Sequence, residues 1–162
     1  MVNVRMYGAI INKGEQYYTD LYKVFNAINN VQKNYNWLIT DCVCYPSTKQ
    51  FAEILSNEYC WLSGSELTRI VEKENFQWIW AVLSGFDKSI TLDEVLEYPL
   101  PYAEEYTGFW ENPISIQHPL ATVEIIPWDS SLTLIISRER KIVDDFKESF
   151  PLSEDLNYYN KK

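Results

Sequence analysis

The chain has 162 residues, a length that suits one domain with a sizeable buried core. Hydrophobic residues make up 46% of it and aromatic residues 15%, which excludes a disordered chain, because such chains bury too little apolar surface to offset their entropy. The 14 basic and 23 acidic residues give a net charge of −9. We therefore expect no nucleic-acid or membrane binding, since both surfaces repel an acidic protein, and a basic protein is the favoured partner.

Nothing in the sequence indicates export or membrane insertion. The start, Met1 to Tyr7, lacks the basic region, apolar stretch and cleavage site of a secretion signal. The apolar run over 76–83 is far shorter than the roughly 20 residues that cross a bilayer. Cys42, Cys44 and Cys60 are an odd number of cysteines, which does not suit a disulfide framework. We expect a cytoplasmic protein with free thiols.

Residue spacing places the elements of the first half of the chain. Apolar and polar residues alternate from Val2, as in a strand with one covered face. Apolar residues recur every three or four positions over 15–29, as on one face of a helix, and Ser63 with Glu66 forms a capping box that opens another. In chain order we expect a strand over 2–11, a helix over 15–29, a strand over 35–45, a short helix over 51–55, a strand over 59–62 and a helix over 63–72.

The second half contains the strand with the strongest burial signal. Aromatic and branched residues on both faces of 76–83 indicate a central strand, which Ser84 and Gly85 should end. A second capping box, Thr91 with Glu94, opens a short helix that the following prolines halt. After it we expect a hairpin of strands over 121–126 and 132–137 with its turn at 127–131, a helix over 140–149 and a short helical turn at 153–156.

Together these elements predict an α+β fold, a mainly antiparallel sheet with helices packed against it, in a single domain over 1–162. Between the two halves of the sheet, the segment 99–119 has neither helical nor strand periodicity. A structureless stretch of that length inside a compact domain is commonly functional. We therefore expect a long loop excursion there that forms the site of the protein.

Acidic and aromatic residues are dense in and around this loop. From Asp87 to Asn112 there are seven acidic residues and one lysine, a net charge of −6. Carboxylates speed the encounter with a basic protein, and aromatic side chains supply buried contact area. We predict that the partner-binding residues are Glu94, Glu97, Tyr102, Glu104, Glu105, Tyr106, Phe109, Trp110 and Glu111.

The cysteines and the single histidine raise two further hypotheses. Cys42, Cys44, Cys60 and His118 are four side chains of zinc-binding type, but with one Cys-x-Cys pair only, free buried thiols are the favoured interpretation. Cys60 and His118 would form a thiol hydrolase if they met, since histidine titrates near neutrality. No nucleophile motif surrounds His118, so we predict neither a metal site nor catalytic residues.

Carboxylates of the acidic loop supply the other enzymatic alternative. Two of them facing each other across a sugar would hydrolyse a glycoside, whereas a solvated acidic surface requires no such geometry and is the favoured interpretation. Glycine-rich phosphate loops are absent, because Ser63-Gly-Ser and Leu83-Ser-Gly-Phe contain too few glycines. We expect no cofactor.

Four short motifs point to a known group of proteins. They are Trp78-Ile-Trp-Ala-Val-Leu-Ser-Gly-Phe, Gln117-His-Pro, Trp128-Asp-Ser-Ser and Ser153-Glu-Asp-Leu. With them, about the last half of the chain resembles small uncharacterised acidic proteins of Gram-positive bacteria, and the small, acidic profile is similar to that of immunity proteins that neutralise polymorphic toxins. The resemblance implies a non-catalytic protein-binding domain that occludes a basic partner, with a hydrolase as the alternative.

Overall fold

The computed structural model describes residues 5–162, in which seven strands and six α-helices are found. None of the helices in this range is long and apolar enough to cross a membrane. The strands are β1 Tyr7–Ile11, β2 Tyr35–Cys44, β3 Tyr59–Ser63, β4 Trp78–Asp87, β5 Val123–Trp128, β6 Leu132–Ser137 and β7 Glu154–Asp155. The helices are α1 Leu21–Ala27, α2 Lys49–Leu55, α3 Gly64–Lys73, α4 Leu92–Val95, α5 Arg140–Ser149 and α6 Leu156–Tyr159.

All seven strands form one sheet in the order β3-β2-β4-β5-β6-β1-β7, and every neighbouring pair is antiparallel. The long strands β2 and β4 pair over most of their length, from Tyr35 opposite Asp87 to Cys44 opposite Trp78. Their register shifts after Thr40, where Asp41 adopts a positive φ of 49° and forms a β-bulge. The predicted α+β class with a mainly antiparallel sheet is confirmed.

The first face of the sheet is covered by helices. Apolar side chains of α1, α2, α3 and α5 pack there in one cluster with inward residues of the strands, including the fully buried Trp37 and Trp78. The capping box predicted at Ser63 and Glu66 opens α3, with Glu66 N–H donating to Ser63 Oγ at 3.1 Å and Ser63 N–H donating to Glu66 Oε1 at 3.0 Å. Helix packing thus fixes the strands from this side.

The second face is covered mainly by the predicted loop. Ala103, Phe109, Ile114 and Ile116 of the loop are buried against residues of the strands, together with Val95 of α4 and Leu156 of α6. Within the loop, only Gly108–Trp110 forms regular structure, a single 3₁₀ turn. Apart from this turn the segment 99–119 is irregular, and it forms a packed layer on the sheet.

Most predicted elements are confirmed within a few residues, and the helix over 140–149 is confirmed at both ends. Four predictions need correction. The first helix begins at Leu21 instead of residue 15, because the Asp20 carboxylate caps it by accepting a hydrogen bond from Lys23 N–H. The central strand continues past Ser84 and Gly85, since the missing side chain of Gly85 leaves room for the neighbouring Trp37 ring.

The third correction concerns the hairpin turn. Pro127 lies in β5 opposite Thr133, and the turn is formed by Asp129 and Ser130, whose φ values of 50° and 58° suit a tight hairpin. The C-terminal segment predicted as a helical turn forms β7 and α6. The part of the first predicted strand before residue 5 lies outside the described residues.

We predict that Gly64→Ala destabilises the protein by about 3 kcal/mol, although Ala is ordinarily the better helix former. A Cβ at this position would clash with backbone atoms, among them Lys33 Cα at 2.7 Å and Tyr35 O at 2.8 Å. Chemical denaturation measures the change, with the exposed neighbour Ser65→Ala as the control. A Gly64→Ala variant as stable as the parent would contradict this close packing.

Candidate binding surface

The structure places the predicted partner-binding residues at different depths. All five glutamates of the set are exposed, and Tyr102 has 48% of its surface exposed. Tyr106 and Trp110 are half-buried, and their rings contact Phe109 and Trp128 respectively. We call one set of exposed acids in this segment the acidic surface: Asp93, Glu94, Glu97, Glu104, Glu105 and Glu111.

Phe109 lies at a different depth from its predicted neighbours. Its side chain is fully buried, with the Tyr106 ring at 4.6 Å and the Trp128 ring at 6.5 Å between centroids. An exposed contact residue cannot have such surroundings. Phe109 therefore anchors the loop to the sheet instead of lying at the surface.

The exposed apolar side chains around these acids were not all expected. Leu96 and Tyr98 follow α4 and are 37% and 36% exposed, so they join Tyr102 as apolar surface beside the glutamates. The edge of the Tyr98 ring packs on the buried His118 ring at 5.2 Å. Leu96 and Tyr98 lie next to Glu94 and Glu97 in the sequence, and this proximity could have indicated that they belong to the same surface.

The acids of this segment have no cationic partner within residues 5–162. Seven ion pairs form there, and each of them joins residues outside 87–112. Glu154, for example, pairs with both Lys13 and Lys162. The negative charge of the acidic surface is therefore left uncompensated by the described part of the chain.

A carboxylate of strand β2 fixes the start of the loop. Asp41, at the β-bulge, accepts hydrogen bonds on Oδ2 from Ala103 N–H at 2.8 Å and from Glu104 N–H at 3.1 Å. The Gln117 side chain clamps the same stretch, because its amide donates to Tyr102 O at 2.9 Å and accepts from Tyr102 N–H at 3.0 Å. Tyr102 and Glu104 thus project from a fixed backbone.

A second carboxylate, that of Glu124 in β5, fixes the end of the loop. Glu124 is fully buried and accepts three hydrogen bonds, from Gln117 N–H at 2.7 Å, His118 N–H at 3.1 Å and Ser84 Oγ at 2.8 Å. Burial raises its pKa to about 7, and the donated hydrogen bonds together with the nearby Arg138 charge oppose that rise. Arg138 also donates to Ala121 O and Pro119 O.

His118 is buried, and both of its ring nitrogens have hydrogen-bond partners. It is 1% exposed, its Nε2 lies 2.9 Å from Val95 O, and its Nδ1 accepts from Leu120 N–H at 3.2 Å. A carbonyl partner at Nε2 and an N–H partner at Nδ1 define the neutral ring protonated on Nε2. Burial lowers the pKa of His118, which favours the same neutral state.

The Cys60 and His118 pair of the hydrolase hypothesis does not form. Cys60 packs in the first-face core, whereas His118 packs against Phe86 and Val95 in the second-face core. The sheet therefore separates the thiol from the imidazole. The five glutamates of the predicted set are all exposed at the surface.

The three cysteines are free thiols on the first-face side of β2 and β3. Cys42 and Cys44 have their sulfurs 3.5 Å apart. The hydrogen bond between the two thiols lowers the pKa of Cys44 and raises that of Cys42, and burial raises the pKa of Cys60 to about 12. Across residues 5–162 no group of three or more Cys, His, Asp or Glu side chains is arranged to hold a metal ion.

Sequence reasoning missed Asp41 and Glu124 as the residues that fix the loop. A signal existed for each, since both interrupt strongly apolar strands. Glu124 alternates with Val123 and Ile125 in a strand that is covered on both faces, where a charged residue requires partners. Those partners could not be predicted, because they lie in the loop and its sequence has no periodic pattern that indicates its path.

Comparisons with known proteins give no match, whether with family models, curated proteins or solved structures.

We predict that ionisation of Glu124 destabilises the fold as the pH rises. Its pKa is about 7 in the folded chain against an ordinary 4.5, so between these values the folded chain holds a proton that the unfolded chain has released. Its contribution to the free energy of unfolding should fall by up to about 3 kcal/mol across this window. Glu124→Gln cannot ionise, so its unfolding free energy lacks this pH-dependent contribution. Denaturation from pH 4.5 to 8 should therefore show the parent losing stability relative to the variant as the pH rises. A difference independent of pH would contradict the prediction.

The thiol environments predict that iodoacetamide alkylates Cys44 at least tenfold faster than Cys60 at pH 8, because the thiolate is the reactive form. Cys42→Ala removes the hydrogen-bond partner of Cys44 and should slow the reaction of Cys44. Timed quenching followed by peptide mass spectrometry measures both rates. Equal rates at Cys44 and Cys60, or no effect of Cys42→Ala, would show that the Cys42 thiol does not activate Cys44.

Proposed function

We propose that this protein is a non-catalytic binding protein whose acidic surface engages a basic partner protein. The observation that supports this most is the uncompensated charge of the acidic surface, whose carboxylates form no ion pair with any cation of the described residues. Such a field speeds association with a cationic protein and disfavours acidic competitors. An acidic surface used for solvation alone would not need to be held on a fixed backbone.

The fixed backbone favours binding in a second way. Hydrogen bonds to Asp41, Gln117 and Glu124 hold both ends of the loop, so little conformational entropy is lost when a partner docks. Leu96, Tyr98 and Tyr102 supply exposed apolar area beside the charges. Interfaces commonly combine such aromatic contacts with a charged periphery.

The biological role that we propose for this binding is that of a bacterial immunity protein in the cytoplasm, which covers the active surface of a basic toxin. Occlusion requires only affinity and coverage, so it is compatible with the neutral, buried His118 and with the separation of Cys60 from His118. No observation on the described residues favours a hydrolase. The binding role therefore accounts for more of the structure.

A capture experiment tests the proposal. The parent chain, a surface variant carrying Glu97→Gln, Glu104→Gln and Glu111→Gln, and a control carrying Glu53→Gln, Glu72→Gln and Glu148→Gln are immobilised and exposed to lysate of the source cells. All six residues are exposed, so both variants lose the same charge without losing core contacts. Mass spectrometry identifies the retained proteins at increasing salt concentration.

We expect parent and control to retain the same basic protein at low salt. The surface variant should retain at least tenfold less of it, because close interfacial charge pairs contribute on the order of 1.5 kcal/mol or more each. If the captured protein arrests growth when expressed alone, co-expression of the parent should restore growth and the surface variant should not. Retention that is equal for all three chains, or no retained basic protein, would contradict the proposed function.

A further inference from the structure

Two thiols meet where strand β2 becomes irregular. Cys42 and Cys44 are separated by one residue, and in a regular strand such side chains share a face with a spacing of about 6–7 Å. Here the register of β2 against β4 shifts between Thr40 and Val43 and again between Val43 and Cys44. The two sulfurs lie only 3.5 Å apart. The irregular strand therefore brings into contact two thiols that a regular strand would keep apart.

This part of β2 is open to solvent and has a strand neighbour on one side only. Cys42 and Cys44 are both half-buried, so solvent reaches both residues. Strand β3 pairs with β2 only as far as Thr40, which lies opposite Tyr59, whereas β4 pairs with β2 up to Cys44. Closing the sulfurs to the roughly 2 Å of a disulfide therefore moves a segment that is paired with β4 alone.

The two thiols differ in chemical character. The hydrogen bond between them lowers the pKa of Cys44, whereas the same hydrogen bond and burial raise the pKa of Cys42. A thiolate is the form that attacks an oxidant, and a second thiol in contact with it converts the product into a disulfide. Cys44 is thus placed as the attacking thiol and Cys42 as the resolving thiol.

We propose that Cys42 and Cys44 form a redox-active pair that a hydroperoxide converts into a reversible intramolecular disulfide. Cys60 packs against the same core cluster but forms no hydrogen bond to either sulfur within residues 5–162, so it takes no part. The inference goes beyond the proposed function and does not depend on it, because the acidic surface contains no cysteine.

The oxidation takes two steps. The Cys44 thiolate attacks one oxygen of the hydroperoxide, so that an S–O bond forms, the O–O bond breaks, and the leaving hydroxide or alkoxide takes up a proton from solvent. The Cys42 sulfur then attacks the sulfur of this sulfenic acid, so that the S–S bond forms, the S–O bond breaks, and the oxygen leaves as water with the Cys42 proton. The two thiols lose two electrons, and the hydroperoxide gains them.

Reduced glutathione reverses the reaction by thiol–disulfide exchange. Its thiolate attacks one sulfur of the disulfide, and a second glutathione resolves the mixed disulfide, so that both protein thiols return and oxidised glutathione is released. A disulfide that spans a single intervening residue closes a small ring, and strained disulfides are the readily reduced ones. The pair is therefore suited to cycle between its two states.

The test exposes the reduced full chain to a small excess of hydrogen peroxide and then alkylates the remaining thiols after denaturation. Trypsin places Cys42 and Cys44 in one peptide, 34–49, and Cys60 in the next, 50–69. We expect peptide 34–49 to lose two hydrogen atoms and to resist alkylation, while Cys60 stays a free thiol. Incubation with excess reduced glutathione before alkylation should restore both alkylation sites.

Variants then separate the two roles. Cys42→Ser leaves Cys44 without a resolving thiol, so peroxide should produce sulfinic acid at Cys44 instead of a disulfide. Cys44→Ser removes the attacking thiol, so Cys42 should be oxidised about tenfold more slowly than in the parent chain. Cys60→Ser is the matched control and should form the disulfide at the parent rate.

A disulfide that joins peptides 34–49 and 50–69 would overturn the inference, because it would assign the reaction to Cys60. Fully alkylated Cys42 and Cys44 after peroxide, irreversible oxidation of Cys44 in the parent chain, or a disulfide that survives excess glutathione would also overturn it. These results leave the capture experiment untouched, since that experiment depends on glutamates of the acidic surface and not on any thiol.

Discussion

The buried carboxylate of Glu124 is the constraint on which the rest of the second face depends. A long segment without helix or strand hydrogen bonds covers this face, and its backbone donors need acceptors once they leave water. Glu124 supplies acceptors for Gln117 and His118, and Asp41 does the same for Ala103 and Glu104. Two carboxylates of the sheet thus replace the partners that regular secondary structure would provide.

The acids of this protein therefore divide into two groups with different physical roles. Asp41 and Glu124 accept backbone hydrogen bonds and set the path of the loop. Glu97, Glu104 and Glu111 lie exposed and have no cationic partner among the described residues. Asp41 holds the backbone of Glu104 directly, and Glu124 holds the other end of the same loop.

Local signals in the sequence predicted most of the fold. The capping box at Ser63 and the apolar spacing around Phe146 are local, so they gave helix ends close to those found. The continuation of β4 through Gly85 could not be predicted, because it depends on the Trp37 ring of a neighbouring strand. For the candidate site, composition indicated the region correctly as exposed and acidic, but the burial of Phe109 follows from contacts between residues far apart in sequence.

The loop is a preformed layer that presents its acids on a fixed backbone. Hydrogen–deuterium exchange of the free chain tests this most directly at the amides of Ala103, Glu104, Gln117 and His118, whose acceptors are the two carboxylates. We expect these amides to exchange far more slowly than those of an unstructured peptide, with protection approaching that of the strands. Exchange at unstructured rates would show that the loop is mobile and not a preformed layer.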